Sequence, residues 1–322
     1  MAIEDGGSCD DGEVVVAFGD RSYPGALRHV YAPPRRLHVR GRLAASPEAL
    51  SMPSIAVVGA RDATAYGLAL ARALGRGLAE AGIQVVSGLA LGIDGAAHRG
   101  ALDAGGVTVA VVGTGTDVVY PRQHRRLRIE ILREGAVVSE LPPGTPPRPG
   151  HFPQRNRIIS GLSLGVVVVE ATLRSGSLGT ARHALEQGRE VFAVPGPVGS
   201  ARSQGPHSLL KRGARLVENV DDILVELPPG VLRPGSRAAA PAGLSPAAAG
   251  LLEAIRGGAP TVDAMAARTG SKVPEILNDL LLLELRGLVA RGPGGRYAAL
   301  AVATASGTAH AGRGVDSPRD ER

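Results

Sequence analysis

Apolar residues in the first two thirds of the chain form short, valine-rich runs separated by longer stretches with helical spacing. Such short apolar runs, bounded by turn residues, are typical of strands that are covered on both faces. They predict strands at residues 55–58, 85–86, 107–112, 137–138, 166–169 and 191–194, and a shorter strand at 37–40.

Helical patterns fill the intervals between these strands. The predicted helices lie at residues 67–81, 94–103, 123–133, 179–187 and 220–227. Several strands run directly into a glycine, as at Gly59, Gly88 and Gly113. Alternating strands and helices predict an α/β fold with a Rossmann-like, doubly wound, mainly parallel sheet that binds ligands at the carboxyl ends of its strands.

The last third of the chain has a different pattern. Ser245 and Thr261 each precede a helical stretch, a third helix is predicted over residues 273–286, and a glycine-rich turn leads to Tyr297. Three short helices followed by a hairpin predict a small winged-helix domain. The predicted organisation is a disordered leader (1–12), a Rossmann-like domain (13–227) with an N-terminal extension (13–53), a linker (228–243), the winged helix (244–300) and a disordered tail (301–322).

Composition and charge favour one class of binding partner and exclude several kinds of site and segment. The 322 residues carry a formal charge of +6, which favours a polyanionic partner, although an arginine-rich composition also fits coding bias. Cys9 is the single cysteine, so disulfide frameworks and cysteine zinc sites are excluded. No apolar run is long enough for a membrane span, and the acidic N-terminus does not resemble a signal peptide. We therefore expect a cytoplasmic protein.

The loops at the strand ends carry the candidate chemistry. After the first strand, Gly59 and Arg61 precede a helix, whose free amides together with a guanidinium group suit a phosphate. The dinucleotide fingerprint G-x-G-x-x-G is absent. Ser87 and Gly88 open a second loop that ends at Asp94, a predicted helix cap. Gly113 and Gly115 form a third loop at which the backbone can closely approach a ligand.

One segment is unusual because it places a rare phenylalanine in a polar, proline-rich stretch predicted as a loop. Phe152 is followed by Arg155, Asn156 and Arg157, a combination that suits a stacked base with neighbouring phosphates; a loop anchor and a helix cap are the alternative roles. Small hydroxyl residues and a glycine open a later helix and predict a phosphate site: Ser175, Gly176, Ser177 and Thr180. No metal or cofactor is predicted.

Taken in order, these motifs resemble the DNA-processing protein A (DprA/Smf) family. The matching stretches are residues 56–61, 87–100, 108–121, 152–161 and 170–196. The resemblance implies a homodimer that binds and protects incoming single-stranded DNA and helps to load the RecA recombinase in natural transformation, without catalysis. It also implies that Arg61 takes a phosphate, that Phe152 lies near a base, and that Arg148 supplies the basic residue before it.

The chain departs from the family pattern in two respects, and two alternative functions stay open. Many members carry an N-terminal helical domain, for which only about twenty residues are available here. The predicted recognition helix contains Glu275, Asp279 and Glu284, which favours partner binding over DNA reading. A phosphoribohydrolase-like enzyme of related fold would need a glutamate where this chain has His183. A winged-helix transcription regulator is the other alternative.

Overall fold

The computed structural model describes residues 12–228, 231, 246–256, 260–285, 289–292 and 295–299. The predicted leader and tail, and most of the predicted linker, lie outside these residues. Two units are distinguished by their internal contacts, Met1–Ala239 and Ala240–Arg322, and each is described separately below. In the part of the chain that is described, no helix has the length and apolar character needed to cross a membrane.

The first unit is built on one mixed sheet. Its strands are β1 (Glu13–Ala17), β2 (Arg36–Arg40), β3 (Ser54–Val58), β4 (Gln84–Ser87), β5 (Thr108–Val111), β6 (Ala136–Ser139), β7 (Gly165–Val168), β8 (Glu190–Ala193) and β9 (Arg215–Leu216). They are ordered β1-β2-β6-β5-β4-β3-β7-β8-β9. Strands β3 to β9 are parallel, whereas β2 pairs antiparallel with both β1 and β6. The predicted Rossmann-like, mainly parallel sheet is confirmed.

Helices cover both faces of this sheet. They are α1 (Ala65–Glu80), α2 (Ile93–Asp103), α3 (Arg125–Glu134), α4 (His151–Leu162), α5 (Ser177–Glu186), α6 (Gln204–Leu210) and α7 (Asp221–Leu224). Every residue of β3, β4, β5, β6 and β7 is buried, which explains why these strands are continuous apolar runs rather than alternating ones. Separate apolar clusters fill the two faces.

The chain changes direction across the sheet between β3 and β7. Strands β4 to β6 are added in succession on one side of β3, and β7 to β9 on the other. In such a sheet the two loops that leave the central pair diverge and open a crevice at the carboxyl ends of the strands. The topology therefore places a binding site beside the ends of β3 and β7.

Several elements differ from the sequence expectations. The segment that starts at Phe152 was predicted to be a loop, but it belongs to helix α4, in which Pro153 occupies the first turn, where it costs no helical hydrogen bond. Helix α5 begins two residues before the predicted start at Gly179. Strands β1 and β9 and helix α6 were not predicted: β9 and α6 are short, and β1 lies next to a stretch that is interrupted by prolines.

The second unit has the predicted winged-helix elements. These are α8 (Pro246–Arg256), α9 (Val262–Thr269), α10 (Val273–Leu285) and the antiparallel hairpin of β10 (Val289–Arg291) and β11 (Tyr297–Ala299). The Thr261 hydroxyl caps α9, and Gly270 ends that helix with a φ of 72°. Met265, Leu283 and neighbouring apolar side chains form its own core.

Candidate functional site

A cleft of about 840 Å³ lies at the point where the sheet reverses direction. Six segments contribute to its lining: residues 58–62 at the end of β3, Ala90 and Asp94 after β4, Tyr120 after β5, residues between 149 and 159 in and before α4, residues between 172 and 180 before and within α5, and the pair Ala201 and Arg202 after β8. Segments distant in sequence thus meet at one edge of the sheet. The size is that of a pocket for a small ligand or a few nucleotide units.

Glu170 occupies the position at which a Rossmann-like sheet usually binds an anionic ligand. It follows β7, is 8% exposed, and its carboxylate accepts hydrogen bonds from the Thr64 amide at 2.9 Å and the Thr64 hydroxyl at 2.6 Å. Thr64 is the N-cap of α1. Because a carboxylate of the chain already occupies this helix N-terminus, a ligand phosphate is disfavoured there.

Arg61 and two aromatic rings form a cluster on one wall of the cleft, in which Arg61 and Tyr120 are exposed and Phe152 is half-buried. The Arg61 guanidinium lies 5.7 Å from the centre of the Phe152 ring, and the Tyr120 ring lies 5.4 Å from that of Phe152. Arg61 makes no hydrogen bond or ion pair with any residue that the structure describes. An unpaired guanidinium beside aromatic faces suits a phosphate next to a stacked base.

The opposite wall is the start of α5. Gly176 is its N-cap, with no side-chain cap, and the hydroxyl groups of Ser175 and Ser177 lie 2.7 Å apart. Asn156 on α4 donates to the Gly176 carbonyl at 3.2 Å, which ties the two walls together. Thr180 completes this wall. The four predicted residues therefore do lie together. The Ser177 amide donates to the Ser175 hydroxyl at 3.4 Å, and the Leu178 and Gly179 amides donate to the backbone carbonyls of Ser175 and Gly176.

Arg155 lies at the base of the cleft and is a structural residue as well as a lining one. It is 8% exposed, and one of its terminal nitrogens donates to the carbonyls of Gly88 and Val111. Burial lowers the pKa of Arg155 to about 10, and the charge of Asp94 opposes that shift. The guanidinium stays protonated at neutral pH and is directed at protein carbonyls.

Two glycines leave room for protein groups rather than for a ligand. A Cβ on Gly88 would lie 2.6 Å from an Arg155 nitrogen and 2.7 Å from an Asp94 oxygen. A Cβ on Gly59 would lie 2.6 Å from the side chain of Ile93. The predicted close approach at these strand ends is correct, but the approaching groups belong to the chain itself.

The loop between β4 and α2 is held from several sides. Asp94 was predicted to cap α2, but its carboxylate accepts instead from the amides of Gly88 at 3.0 Å and Ala90 at 3.4 Å, and Gly92 is the N-cap. Leu89 is buried with a φ of 57°, a strained backbone conformation for leucine. Its carbonyl is 3.0 Å from Nδ1 of His124.

His98 is a buried, neutral residue behind this loop. Its Nδ1 lies 2.7 Å from the Thr108 hydroxyl, which itself donates to the Val85 carbonyl at 2.8 Å. Nδ1 therefore carries the proton, because the hydroxyl hydrogen is already used. Burial lowers the pKa of His98 to about 3. No cluster of three potential metal ligands occurs among the described residues.

Six of the predicted site residues do not line the main cleft. Arg157 needs correction: its guanidinium turns away to the Glu140 carboxylate at 2.7 Å and the Ala32 carbonyl at 2.9 Å. Ser87 is buried and donates to a carbonyl of the adjacent strand β3. Arg148 is exposed one residue before the lining, Gly88 and Gly113 line a smaller recess behind Phe152, and Gly115 is buried in a loop.

Arg202 and Tyr120 line the cleft but were absent from the predicted site. Arg202 donates to the Asp62 backbone carbonyl at 2.6 Å and forms an ion pair with the Asp62 carboxylate. Both residues follow strand ends, Tyr120 after β5 and Arg202 after β8. Their position at the carboxyl edge of the sheet was a signal that could have identified them.

Comparison with known proteins gives the chain a family. A model described as DNA recombination-mediator protein A matches residues 14–228. The chain belongs to the DNA recombination-mediator protein A family. A second model, the DprA winged helix domain, matches residues 235–295 of this family member. The predicted resemblance is therefore confirmed over both units.

Individual members of the recombination-mediator family are also similar to this chain. Protein Smf of Escherichia coli (strain K12) is 46% identical over 280 residues, which is 85% of this chain and 74% of the relative. The X-ray structure of DprA from Streptococcus pneumoniae is 44% identical with a TM-score of 0.63, covering 67% of this chain and 74% of that one. A structure addressing the single-stranded DNA binding mode of the Helicobacter pylori protein is 29% identical with a TM-score of 0.59, covering 66% and 94%.

Proposed function

We propose that the cleft binds single-stranded DNA, with Arg61 on a phosphate and Phe152 against a base. The observation that carries this proposal is the cluster of Arg61, Phe152 and Tyr120, which faces the serine hydroxyls at the start of α5 across the cleft. A phosphate between Arg61 and the start of α5 would be bound by the guanidinium charge, by the hydroxyls of Ser175 and Ser177 and by the helix dipole together. The H. pylori relative supports the choice of ligand.

The same geometry favours a single strand over a duplex. The ring faces of Phe152 and Tyr120 need a base whose own face is free, and in a duplex both faces are stacked. Phosphate contacts and stacking carry little base information, so binding is expected to be tolerant of sequence.

Further parts of the function rest on family resemblance. We propose that the protein acts in the cytoplasm as a homodimer, protects incoming DNA and helps to load the RecA recombinase in recombination or natural transformation. The family assignment and the single-strand binding described for one relative support this role.

We further propose binding without turnover. The two carboxylates that line the cleft are engaged, since Asp62 is paired with Arg202 and Asp94 is buried against loop amides. His183, at the position where the hydrolase alternative needs a glutamate, lies 3.2 Å from Glu186 on the outer part of α5. An assay for base release from nucleoside monophosphates is expected to show no activity; release that depends on Asp62 would contradict the proposal.

The main test is binding of a fluorescent oligonucleotide to Arg61→Ala. Loss of one phosphate contact is expected to weaken single-strand binding roughly tenfold and to reduce its salt dependence. Arg76→Ala is the matched control, because Arg76 is exposed on the distal half of α1 and does not line the cleft. Equal affinities for the two variants, or a preference for duplex, would refute the cleft as the DNA site and move attention to the winged helix.

A further inference from the structure

Three arginines at the start of α3 form a basic ridge outside the cleft. Arg122 lies in the helical turn before α3, and Arg125 and Arg126 are its first two residues. All three side chains are exposed. Residues three and four apart are neighbours on a helix surface, so Arg122 lies near both Arg125 and Arg126. None of them has a hydrogen-bonding or ion-pair partner among residues 12–228.

This placement is electrostatically unfavourable for the protein alone. The N-terminus of a helix carries a partial positive charge, which acidic residues normally balance. The first turn of α3 has no acidic residue and has no side-chain cap on His124. Three mutually repelling positive charges at a positive helix end indicate that a negatively charged partner compensates them.

The basic ridge is continuous with the cleft. Tyr120 lines the cleft, Pro121 lines the small recess beside it, and Arg122 follows directly. Nδ1 of His124 is 3.0 Å from the carbonyl of Leu89, another residue of that recess. This contact fixes the start of α3 against the wall of the cleft. A strand that leaves the cleft past Tyr120 would therefore meet the three arginines next.

We propose that Arg122, Arg125 and Arg126 bind the phosphates of the same single strand where it leaves the cleft past Tyr120. The partner is a polynucleotide backbone, because several separate phosphates are needed to neutralise three exposed guanidinium groups. The ridge extends the binding site by phosphate contacts alone, since it contains no aromatic ring. This inference rests on the proposed function of the cleft and predicts a dependence on strand length.

The test compares a short oligonucleotide of about 4 nucleotides, which occupies the cleft, with a long one of about 16. The probe is fluorescence anisotropy with the full chain over a salt series. In the variant Arg122→Gln/Arg125→Gln/Arg126→Gln, affinity for the long strand is expected to fall roughly tenfold or more and its salt slope by about 2, because each lost phosphate contact contributes about 0.7. Affinity for the short strand is expected to stay within about twofold.

A matched variant controls for net charge. Arg76→Gln/Arg133→Gln/Arg212→Gln also removes three exposed arginines, but these lie late in α1, late in α3 and after α6, away from the carboxyl ends of the strands. It is expected to keep wild-type affinity for both lengths. The proposal is overturned if both triple variants lose the same affinity for the long strand, or if the ridge variant keeps its long-strand affinity. Arg61→Ala tests the cleft separately. Unchanged affinity of this variant for the short strand would refute the proposed function of the cleft itself.

Discussion

Arg155 contributes to binding through structure rather than through exposed charge. Its guanidinium is buried between the ends of β4 and β5 and faces the equally buried Asp94. Arg155→Ala would leave the Asp94 carboxylate without its compensating charge, and we expect the free energy of unfolding to fall by about 3 kcal/mol or more. Urea denaturation measures this. Arg182→Ala on the exposed face of α5 is the control, and a similarly small effect of both would show that Arg155 is not structural.

His98 makes stability depend on pH. Its pKa is about 3 in the folded protein, whereas the unfolded chain protonates this histidine near its ordinary value of about 6.5. Between those values the unfolded state binds more protons, so the free energy of unfolding falls as the pH falls, by up to about 1.4 kcal/mol per pH unit. Full stability from this group is present above pH 6.5.

The His98→Asn variant isolates this effect. Burial raises the pKa of Asp94, which acts with the opposite sign, but that contribution is present in both proteins and cancels in the comparison. Denaturant titrations between pH 4 and 7 are expected to show a shallower pH dependence for the variant. Parallel curves for wild type and variant would mean that His98 does not titrate as the buried site requires.

Phe152 offers a direct test of stacking. Its ring is half-buried between Arg61 and Tyr120, and Phe152→Ala is expected to weaken single-strand binding by about 1–3 kcal/mol, while Phe152→Tyr keeps most of the affinity. Phe18→Ala, an exposed aromatic residue that does not line the cleft, serves as the control in the same anisotropy titration. Equal affinity of the alanine and tyrosine variants would argue against base stacking.

At the scale of elements, Glu170 holds α1 against the end of β7. Glu170→Ala removes the acceptor for the Thr64 amide and hydroxyl, and we expect a loss of about 1–2 kcal/mol of stability with faster amide exchange in the first turn of α1. Glu170→Gln keeps an acceptor oxygen, so this variant is expected to lose less stability than Glu170→Ala. Hydrogen exchange that is unchanged in the alanine variant would contradict this capping role.

Helix α4 shows how an unpredicted element assembled the site. One helix presents Phe152 and Asn156 to the cleft, buries Arg155 beneath it, and turns Arg157 to Glu140 on another side. A sequence motif treats these residues as one group, but the 3.6-residue period of a helix distributes them over different directions. This periodicity explains why Arg157 was wrongly placed in the pocket.

At the scale of the whole molecule, the second unit has few features of a DNA-reading module. Helix α10 exposes Val273, Leu277 and Leu281 at four-residue intervals, together with the acidic Glu275. Lys272→Gln is therefore expected to leave the affinity for single strands and for duplex unchanged, as measured by the same anisotropy titrations. A selective loss of duplex binding would instead support the regulator alternative.

The sequence by itself determined the architecture of both units. Buried parallel strands are continuous apolar runs, and the helices between them carry a clear amphipathic period, so local patterns specify the α/β class, the winged helix and the strand ends at which the site lies. Arg61, Ser175, Gly176, Ser177 and Thr180 were predicted in this way because they lie in segments that follow strands at one edge of the sheet.

Tertiary structure alone decided which of these residues face a ligand. Glu170 accepts from the amide and hydroxyl of Thr64 at the start of α1, and Gly88 leaves room for Arg155. The positive charges of Arg202 and Arg157 are paired with carboxylates distant in sequence. Such pairings depend on which segments meet across the sheet, and local propensity contains no information about them. The physical reason is that burial and long-range partners, rather than residue type, determine whether a charge remains free to bind.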